Sequence, residues 1–394
     1  MKAKLALLLT LAIFTGILSP GLALAQAPPP FTLDTRGAIL MDAASGQILF
    51  NQNSEEPWVP ASLVKIMTLR LAWKALKEGK IKPDDIVTVS SNAWAAKLTG
   101  SSLMFLNVGD KVKVSEIMKG IAIPSGNDAA IALAEHMAGS TDVFVQQMNQ
   151  EAQRLGLKSA KYADVHGLSP ENRISALDMA NLARAYVSEF PEALQLHSTK
   201  EFAYGGLKPQ LNRNGLLWSY PGADGLKTGH TEEAGYNLVA TAKRGDMRLI
   251  AVIMGTQDKP PKSGEQVREE QATALLNYGF ANFTTAELVK AGETVGKVRV
   301  FKGRTAEVPL VPSGAVVVTL PKGQEGKVQR TVEVPKNLTA PVAQGQKVGQ
   351  MVLKVGDQEL RRIDLVAGQA VPKGNIFRVL WDSIKIFVTG LFKK

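Results

Sequence analysis

The sequence contains no cysteine and only four histidines among 394 residues. The absence of cysteine excludes disulfide bonds, thiol nucleophiles and cysteine-ligated zinc, and it leaves the redox compartment open. The histidines show no short ligand spacing such as H-E-x-x-H; they are His136, His166, His197 and His230. We therefore predict that the protein binds no metal, and nothing in the sequence indicates another cofactor.

Clusters of lysine and arginine interleaved with aromatic residues are also missing, although the formal net charge is +10 and the pI is about 9.5. A basic balance suits nucleic acid, anionic lipid or an anionic polymer. Without such clusters, nucleic acid is the least suitable of these partners, and we predict none. With 45% hydrophobic and 21% charged residues, the chain is typical of a globular protein of two or three domains.

The first thirty residues lack an apolar run long enough to span a membrane. Lys2 and Lys4 precede an apolar run over residues 5–18, which is shorter than the ~20 residues that a spanning helix needs. A Ser-Pro-Gly break follows, and then the small-x-small sequence "ALA" ending at Ala25. This order predicts a signal peptide over residues 1–25, with cleavage after Ala27 as the alternative, and hence an exported protein.

Residues 26–282 are expected to form one mixed α/β (α+β) domain. The stretches 37–53 and 236–255 each contain two apolar segments around a turn, the pattern of a β-hairpin. Helical periodicity dominates between them, over residues 62–78, 127–138, 142–155 and 175–187, and again over 264–278. Strands at both ends of the segment with helices between them predict a mostly antiparallel sheet with a helical insertion.

The composition changes near residue 283. Short valine-rich segments separated by Gly, Pro and Lys turns fill residues 283–371. This pattern is typical of a small all-β sandwich or barrel. We find no cluster of catalytic residue types in it.

The tail, residues 372–394, has the pattern of an amphipathic helix. Polar residues at 378, 382, 385, 389 and 393 fall on one helical stripe, and large apolar residues fill the rest. Residues 375–394 carry a net charge of +3. We predict a helix that lies in a membrane surface and does not span it. The alternative is a helix docked on the β-rich domain.

The stretch "PASLVKIMT" places Ser62 three residues before Lys65, at the expected start of a helix. Residues three apart share a helix face, so the hydroxyl and the amine should lie side by side. The Ser-x-x-Lys pattern alone is weak, because a helix start with a surface lysine looks the same.

Two further short motifs add weight to this pair. Ser125-Gly126-Asn127 stands at a probable helix start, and Lys227-Thr228-Gly229 leads into a strand. In the order S-x-x-K, S-x-N, K-T-G they match serine enzymes that recognise penicillin. Ser90-Ser91-Asn92 also fits S-x-N. We prefer the site at Ser125, because Asn127 opens a helix inside the helical insertion.

These residue types suit one chemistry. A serine hydroxyl is a poor nucleophile until a base removes its proton, and Lys65 can act as that base if its pKa falls well below ~10.4. Burial and the second positive charge of Lys227 would both lower it. Ser125 could pass a proton to a leaving amine, and the Asn127 amide could hold Lys65 and the substrate backbone.

The strand after Lys227 would serve the substrate. The backbone amide of Ser62 and one on the strand after Gly229 would form an oxyanion hole. Because Gly229 has no side chain, a peptide could lie along this strand as an added β-strand.

The chain resembles the low-molecular-mass penicillin-binding proteins that are D-alanyl-D-alanine carboxypeptidases. The resemblance rests on the three motifs and on longer stretches: "RGAILMDAASGQIL", "NVGDKVKVSEIMKGIAIPSGNDAAIALAEHMAGS", "NRNGLLWSYPGADGLKTGHTEEAGYNLVATAKRGDMRLIAVIMG" and "LLNYGF". It implies a penicillin-binding/β-lactamase-like transpeptidase fold, followed by the small β-domain and the tail helix.

The resemblance also implies residue roles. Ser62 would become the acyl-ester and Lys65 its proton acceptor, with Ser125 and Asn127 completing the proton network. Substrate-binding residues would be Lys227, Thr228, Gly229, His230, Arg213 and Arg268. Arg268 follows a segment, "TQDKPPKSGEQ", that is longer and richer in proline than is usual in the family, so a solvated helix charge remains the alternative there.

The stretch "KYADVHGLSPENR" lies where such enzymes carry a loop beside the active site. Glu171 could activate water in the manner of class A β-lactamases, but it stands outside their glutamate motif, and we expect a surface residue. His166 is expected to pack within the loop.

The function that follows is a serine-type carboxypeptidase at the periplasmic face of the cytoplasmic membrane. It would remove the terminal D-alanine of peptidoglycan stem pentapeptides through an acyl-enzyme, and β-lactams would acylate it. A β-lactamase or a D,D-endopeptidase on the same fold is the alternative. A penicillin-binding module without activity is a further one, although the three intact motifs argue against it.

Overall fold

The structure is a computed structural model that describes residues 31–391, with side chains described up to Val388. The predicted signal peptide, residues 1–25, lies outside the described residues. The described chain forms a mixed helix–sheet domain, then a β-rich domain, and ends in one helix.

The first domain is built around a five-stranded antiparallel sheet with the order β2-β1-β11-β10-β9. Three two-stranded pairs, β3–β6, β4–β5 and β7–β8, lie outside it. The strands are β1 (Gly37–Asp42), β2 (Ile48–Gln52), β3 (Pro57–Trp58), β4 (Ile86–Thr88), β5 (Lys111–Lys113), β6 (Ile174–Ser175), β7 (Glu201–Phe202), β8 (Gln210–Leu211), β9 (Ala223–Thr231), β10 (Gly235–Arg244) and β11 (Met247–Thr256).

Most helices of this domain lie between β2 and β9 in the sequence, as the predicted helical insertion. They are α1 (Lys65–Lys77), α2 (Val114–Ala122), α3 (Asn127–Ala138), α4 (Thr141–Arg154), α5 (Ala176–Glu189), α6 (Ala193–His197) and α7 (Leu216–Ser219), while α8 (Gly264–Asn282) follows the sheet. A short 3-10 turn, Ala61–Val64, precedes α1.

Local sequence signals fix several helix ends. The Ser140 hydroxyl accepts a hydrogen bond from the Val143 backbone N–H at the start of α4. Ser263 and Gln266 form a capping box at the start of α8. These contacts satisfy N–H groups that have no partner within the helix. At the end of α3, Gly139 adopts φ +79°, the left-handed conformation that glycine allows at a helix terminus.

The central sheet is covered on both faces. Successive side chains of a strand point to opposite faces, so each strand contributes to two cores. In β1, Ile39 and Met41 join the core beneath the helical insertion, while Ala38 and Leu40 join the core that includes Leu275 of α8. Fully burying a large apolar side chain contributes about 1.5–3 kcal/mol, so these two layers hold the sheet rigid beneath the site.

The β-rich domain has its own core. Its strands are β12 (Phe283–Val289), β13 (Gly296–Phe301), β14 (Glu307–Pro312), β15 (Val316–Pro321), β16 (Val328–Glu333), β17 (Asn337–Thr339), β18 (Lys347–Val355) and β19 (Gln358–Ala367). β12 pairs with β15, and the others form a six-stranded sheet with the order β16-β18-β19-β14-β13-β17. Buried valines and leucines fill the space inside. The predicted fold class, an antiparallel sheet with a helical insertion followed by an all-β domain, is confirmed.

Polar contacts join the two domains at Asp42, the last residue of β1. Asp42 is fully buried, and its carboxylate accepts hydrogen bonds from Ser45 and, at 2.8 Å, from the Thr285 hydroxyl of β12. The Ser45 hydroxyl lies 2.6 Å from that of Thr319 in β15. Since a buried carboxylate is costly unless it is hydrogen-bonded, this junction resists separation.

The tail forms helix α9 (Ile376–Leu391). Asn375 caps its start, with its side-chain oxygen 3.0 Å from the Arg378 backbone nitrogen. Asp382 is buried and accepts a hydrogen bond from the backbone N–H of Lys302 in the β-rich domain, at 2.6 Å. The apolar face of the helix is exposed: Ile376, Phe377, Leu380, Trp381, Ile384, Phe387 and Val388.

Candidate active site

Ser62 lies in the 3-10 turn that precedes α1, and not in the α-helix itself. In a 3-10 turn, side chains three residues apart eclipse one another. Lys65, the first residue of α1, is therefore directly beside Ser62, with 3.0 Å between Nζ and Oγ. The sequence predicted that Ser62 and Lys65 are neighbours at the start of an α-helix. They are neighbours, but in a tighter 3-10 turn.

The amine of Lys65 is completely buried and has three polar neighbours. Besides Ser62 Oγ, these are Asn127 Oδ1 and the backbone carbonyl of His166, both 2.6 Å from Nζ. The last two oxygens can only accept hydrogen bonds. They bind the two hydrogens of a neutral amine, so the nitrogen lone pair is left to face the Ser62 hydroxyl.

The charge state of Lys65 fits this arrangement. Burial lowers its pKa to about 7, with the carboxylates of Asp164 and Asp128 opposing the shift and the charge of Arg213 adding to it. Near pH 7 a large fraction of Lys65 is therefore the neutral amine that can accept a proton.

Asn127 of the S-x-N motif contacts Lys65 of the S-x-x-K motif. Asn127 opens α3, and Ser125 before it adopts φ +69°, an uncommon conformation for a residue with a side chain. Within residues 31–391, the buried Ser125 hydroxyl has no hydrogen-bond partner. A hydroxyl of this kind is available to a bound group.

The other S-x-N sequence, Ser90-Ser91-Asn92, lies away from Lys65. Ser90 and Asn92 hydrogen-bond to the carboxylate of Glu135, with Asn92 Nδ2 3.0 Å from Glu135 Oε1. The geometry thus places Asn127, and not Asn92, beside Lys65.

Strand β9 brings the third motif to the edge of the sheet. Lys227 is 2% exposed and its Nζ donates to the Thr228 carbonyl at 3.0 Å. Burial, with the charges of Lys65 and Arg213 nearby, lowers the pKa of Lys227 well below its usual value. A Cβ on Gly229 would stand 3.1 Å from the Ser62 nitrogen, so the strand lies directly against the nucleophile turn.

Arg213 is an exposed loop residue, and hydrogen bonds hold the residues on either side of it in place. Asn212 and Asn214 are buried, and their side-chain amides donate to the carbonyls of His197, at 3.1 Å, and Gly225, at 2.9 Å. Arg213 itself donates through Nε to the Pro124 carbonyl, the residue before Ser125, at 3.1 Å. The two terminal nitrogens of its guanidinium group can bind an anion.

Arg268 is 2% exposed, which does not fit the alternative of a solvated helix charge. One nitrogen donates to Glu265 at 2.7 Å and reaches the Arg213 carbonyl at 3.4 Å. Burial lowers the pKa of Arg268. It lies behind the Arg213 loop, with its guanidinium carbon 5.8 Å from the centroid of the Tyr236 ring. The His230 ring stacks on the Tyr236 ring, with the two centroids 4.0 Å apart.

The loop 161–173 closes the site behind Lys65. Asp164, which sequence reasoning missed, accepts hydrogen bonds from the backbone of Gly167 and Ser169. Burial would raise its pKa, but hydrogen bonds from His166 and these N–H groups outweigh burial and hold the pKa well below its usual range. The turn that Asp164 organises delivers the His166 carbonyl to Lys65.

Glu171 lies at the surface of this loop. Its side chain is 70% exposed and lies 3.6 Å from Lys161. The expected surface role agrees with this position. His166 packs in the loop, with its side chain 15% exposed and 3.3 Å from Asp164.

Asp128 is a second residue that sequence reasoning missed. Its buried carboxylate accepts from the backbone N–H groups of Met104 and Leu106, at 2.8 and 3.0 Å. It thereby binds the segment beside the S-x-N turn. Its place directly after Asn127, in the first turn of a helix, was the available signal.

Comparison with known proteins agrees with this geometry. A family model described as D-alanyl-D-alanine carboxypeptidase matches residues 23–258, more than half of the chain. The chain belongs to this carboxypeptidase family. A second model, described as the C-terminal domain of penicillin-binding protein 5, matches residues 283–373. The resemblance noted in the sequence is confirmed.

Relatives of this family member cover nearly its whole length. It is 40% identical to D-alanyl-D-alanine carboxypeptidase DacA of Haemophilus influenzae over 369 residues, 93% of this chain and 92% of the relative. It is 42% identical to DacC of Escherichia coli over 360 residues, 90% of this chain and 88% of the relative.

Solved structures of the family agree as well. Penicillin-binding protein 5 from Haemophilus influenzae matches with a TM-score of 0.83 at 38% identity, covering 88% of this chain and all of the other. Penicillin-binding protein 6B from Escherichia coli matches with a TM-score of 0.71 at 37% identity, covering 86% and 97%. The penicillin-binding fold of the first domain is thereby shown.

From residue 31 to 391, no three His, Asp or Glu side chains are grouped as a metal site would require. None of the helices in the same range has the length and hydropathy of a membrane span.

Proposed function

We propose that this carboxypeptidase removes the terminal D-alanine from peptidoglycan stem pentapeptides, with Ser62 as the nucleophile. The observation that carries the proposal is the amine of Lys65. It is buried, its pKa is about 7, and two acceptors orient its lone pair toward Ser62 Oγ at 3.0 Å.

Acylation would begin with proton transfer from Ser62 Oγ to Lys65 Nζ as Oγ attacks the carbonyl carbon of the penultimate D-alanine. The backbone N–H groups of Ser62 and His230 would bind the negative oxygen that forms. The close approach of Gly229 to the Ser62 nitrogen supports this pairing of amides.

Collapse of this intermediate would break the peptide bond and leave Ser62 as an ester. The departing amine of D-alanine needs a proton, and the unpaired hydroxyl of Ser125 is suited to pass it on from Lys65. Water would then attack the ester, with Lys65 again accepting a proton. The products are a tetrapeptide and one D-alanine.

The substrate would lie along the free edge of β9, as an added antiparallel strand. The exposed guanidinium of Arg213 would bind its terminal carboxylate, with Arg268 fixing the loop from behind. Thr228 and His230 would offer backbone groups to the peptide. A β-lactam carries an amide and a carboxylate in the same relation, so it would acylate Ser62 too.

The alternative of a β-lactamase lacks support in the loop 161–173. Rapid release of a penicilloyl group needs a base that activates water near the ester. Glu171 is 70% exposed and paired with Lys161, so it does not supply one.

We also propose how the chain is divided and placed. The signal peptide would span residues 1–25, the catalytic domain 26–282, the β-rich domain 283–371 and the anchor 372–394. The exposed apolar face of α9 supports its lying in the outer surface of the cytoplasmic membrane. Through Asp382 the polar side of α9 remains bound to the β-rich domain, so docking and membrane binding are compatible.

Labelled penicillin and a small peptide test the proposal together. The wild-type chain should be labelled on Ser62, and it should release D-alanine from diacyl-Lys-D-Ala-D-Ala. Ser62→Ala should do neither. Labelling that persisted in Ser62→Ala would overturn the assignment of the nucleophile.

A further inference from the structure

A side chain from another element binds the free edge of β9 at Leu226. β9 is the last strand of the sheet and pairs on one side only, with β10. On its other side, the Leu226 carbonyl lies 2.9 Å from Nδ1 of His197, the last residue of α6. Backbone groups of alternate residues face the same edge of an antiparallel strand. Thr228 and His230 are therefore the next residues along this edge.

Hydrogen bonding fixes the tautomer of His197. The Leu226 carbonyl can only accept, so Nδ1 carries the proton. Nε2 is then an acceptor, and the Tyr186 hydroxyl of α5 lies 3.1 Å from it. The two rings meet edge to face at 5.6 Å, and both residues are completely buried. The imidazole is thus held on both nitrogens.

His197 also reaches the other half of the substrate site. Its backbone carbonyl accepts the side-chain amide of Asn212 at 3.1 Å, next to Arg213. A single buried residue therefore contacts both the strand that carries Lys227 and the loop that carries Arg213.

We propose that Tyr186 and His197 form a positioning pair, which sets the spacing between the K-T-G edge of β9 and the Arg213 loop for a peptide that ends in a carboxylate. The inference rests on the proposed function, because it assumes that the β9 edge and the Arg213 loop bind the same substrate. Neither residue touches the substrate. Tyr186 orients the imidazole, and the imidazole fixes the Leu226 carbonyl at the start of the edge.

Three variants separate the contacts of the pair. His197→Leu removes both ring hydrogen bonds. His197→Asn keeps a donor near the position of Nδ1, and so can rebind the Leu226 carbonyl. Tyr186→Phe leaves that bond in place and removes only the hydroxyl. For each, we would measure thermal stability and the KM and kcat for diacyl-Lys-D-Ala-D-Ala.

We expect His197→Leu to raise KM by roughly tenfold, since small misplacements of binding groups are costly in rate, and His197→Asn to recover most of the loss. Tyr186→Phe should raise KM less and in the same direction. Folded variants with lowered stability but wild-type KM and kcat would overturn the proposal, since a packing role alone would give that result. D-alanine release by the wild-type chain tests the proposed function separately.

The tautomer of His197 can be measured on the unmodified protein, whether or not His197→Leu folds. The ¹⁵N NMR shifts of the His197 ring should show a protonated Nδ1 and an unprotonated Nε2 at pH 7. The opposite tautomer would contradict the hydrogen bond to Leu226 on which the pair depends.

Discussion

Gly167 lies directly against the backbone carbonyl of Ala61, the residue before Ser62. A methyl group on Gly167 would overlap that carbonyl, and Gly167 adopts φ +94°, where side chains are strained. Ala61 is itself at φ +49°. The loop 161–173 and the nucleophile turn thus fit together only because one of the two surfaces has no side chain.

Substitution of Gly167 should therefore affect chemistry as well as stability. In Gly167→Ala the left-handed backbone costs about 1–2 kcal/mol, and the overlap must push the loop from Ala61. Since the loop supplies the His166 carbonyl to Lys65, penicillin acylation should slow by on the order of a hundredfold. Gly109→Ala is a matched control, because Gly109 has φ +87° and open space around it. Equal acylation rates in the two variants would refute the contact.

Lys65→Arg should lose most of its activity although it preserves charge. Guanidinium does not lose its proton in this pH range, and removal of a general base costs roughly 10²–10⁴-fold. In the wild type, acylation should rise with pH through about 7 as Lys65 becomes neutral, and level off above it. Stopped-flow acylation by a chromogenic β-lactam measures both. Lys77→Arg, at the far end of α1, should behave as wild type.

Arg213→Gln should weaken binding of a substrate with a free terminal carboxylate. A hydrogen bond to a charged group is worth about 1.5–3 kcal/mol, so KM should rise about 10- to 100-fold. For a peptide amidated at its C-terminus, the KM should differ little between the variant and the wild type, because this peptide has no terminal carboxylate. If both peptides were affected equally, Arg213 would be shaping the loop and not binding the charge.

The protein should lose stability in mild acid through His197. Burial lowers the pKa of His197 to about 4, with Lys227 adding to the shift and Asp224 and the Leu226 carbonyl opposing it. In the unfolded chain its pKa is about 6.5. The unfolded state thus binds more protons between these values, and stability falls as pH drops from about 6.5 to 4. The whole shift is worth about 3 kcal/mol.

Urea denaturation at pH 7 and pH 4 would measure this effect. His197→Asn has no titrating group there, so its free energy of unfolding should depend less steeply on pH than that of the wild type. Parallel pH profiles for the two proteins would show that other groups cause the acid sensitivity.

Truncation after Val371 should give a soluble enzyme with unchanged turnover on a small peptide. Val371 pairs with Val342 and remains in the β-rich domain, while α9 and its exposed apolar side chains are removed. High salt alone should release the full-length protein poorly from membranes, because burial of large apolar side chains at about 1.5–3 kcal/mol each exceeds the electrostatic part. A truncated protein that still pelleted with membranes would show that α9 is not the anchor.

The sequence predicted what depends on neighbours in the chain. The helix at 127–138 and the hairpin strands of 236–255 follow from periodicity and turns, and the structure has α3 at Asn127–Ala138. The pairing of Ser62 with Lys65 follows from their spacing. These features need no knowledge of the rest of the fold.

Apart from the meeting of the three motifs, contacts between distant segments were beyond sequence reasoning. The burial of Arg268 depends on how α8 packs against the Arg213 loop, 55 residues away. The link from His197 to Leu226 joins residues 29 apart, and Asp164 acts on Lys65 through a loop about a hundred residues later. No local pattern distinguishes such residues from ordinary polar ones.

The occupied carbonyl of Leu226 also bears on which peptides can be cut. On the proposed antiparallel orientation, the carboxyl end of the substrate lies toward Leu226, where Arg213 meets it. At that position the Leu226 carbonyl already accepts a hydrogen bond from the His197 imidazole. A residue following the second D-alanine would compete with this imidazole for the carbonyl and would have to pass Arg213. If the substrate binds in this orientation, we expect a bond followed by further residues, as in the middle of a cross-linked wall peptide, to be a poor target.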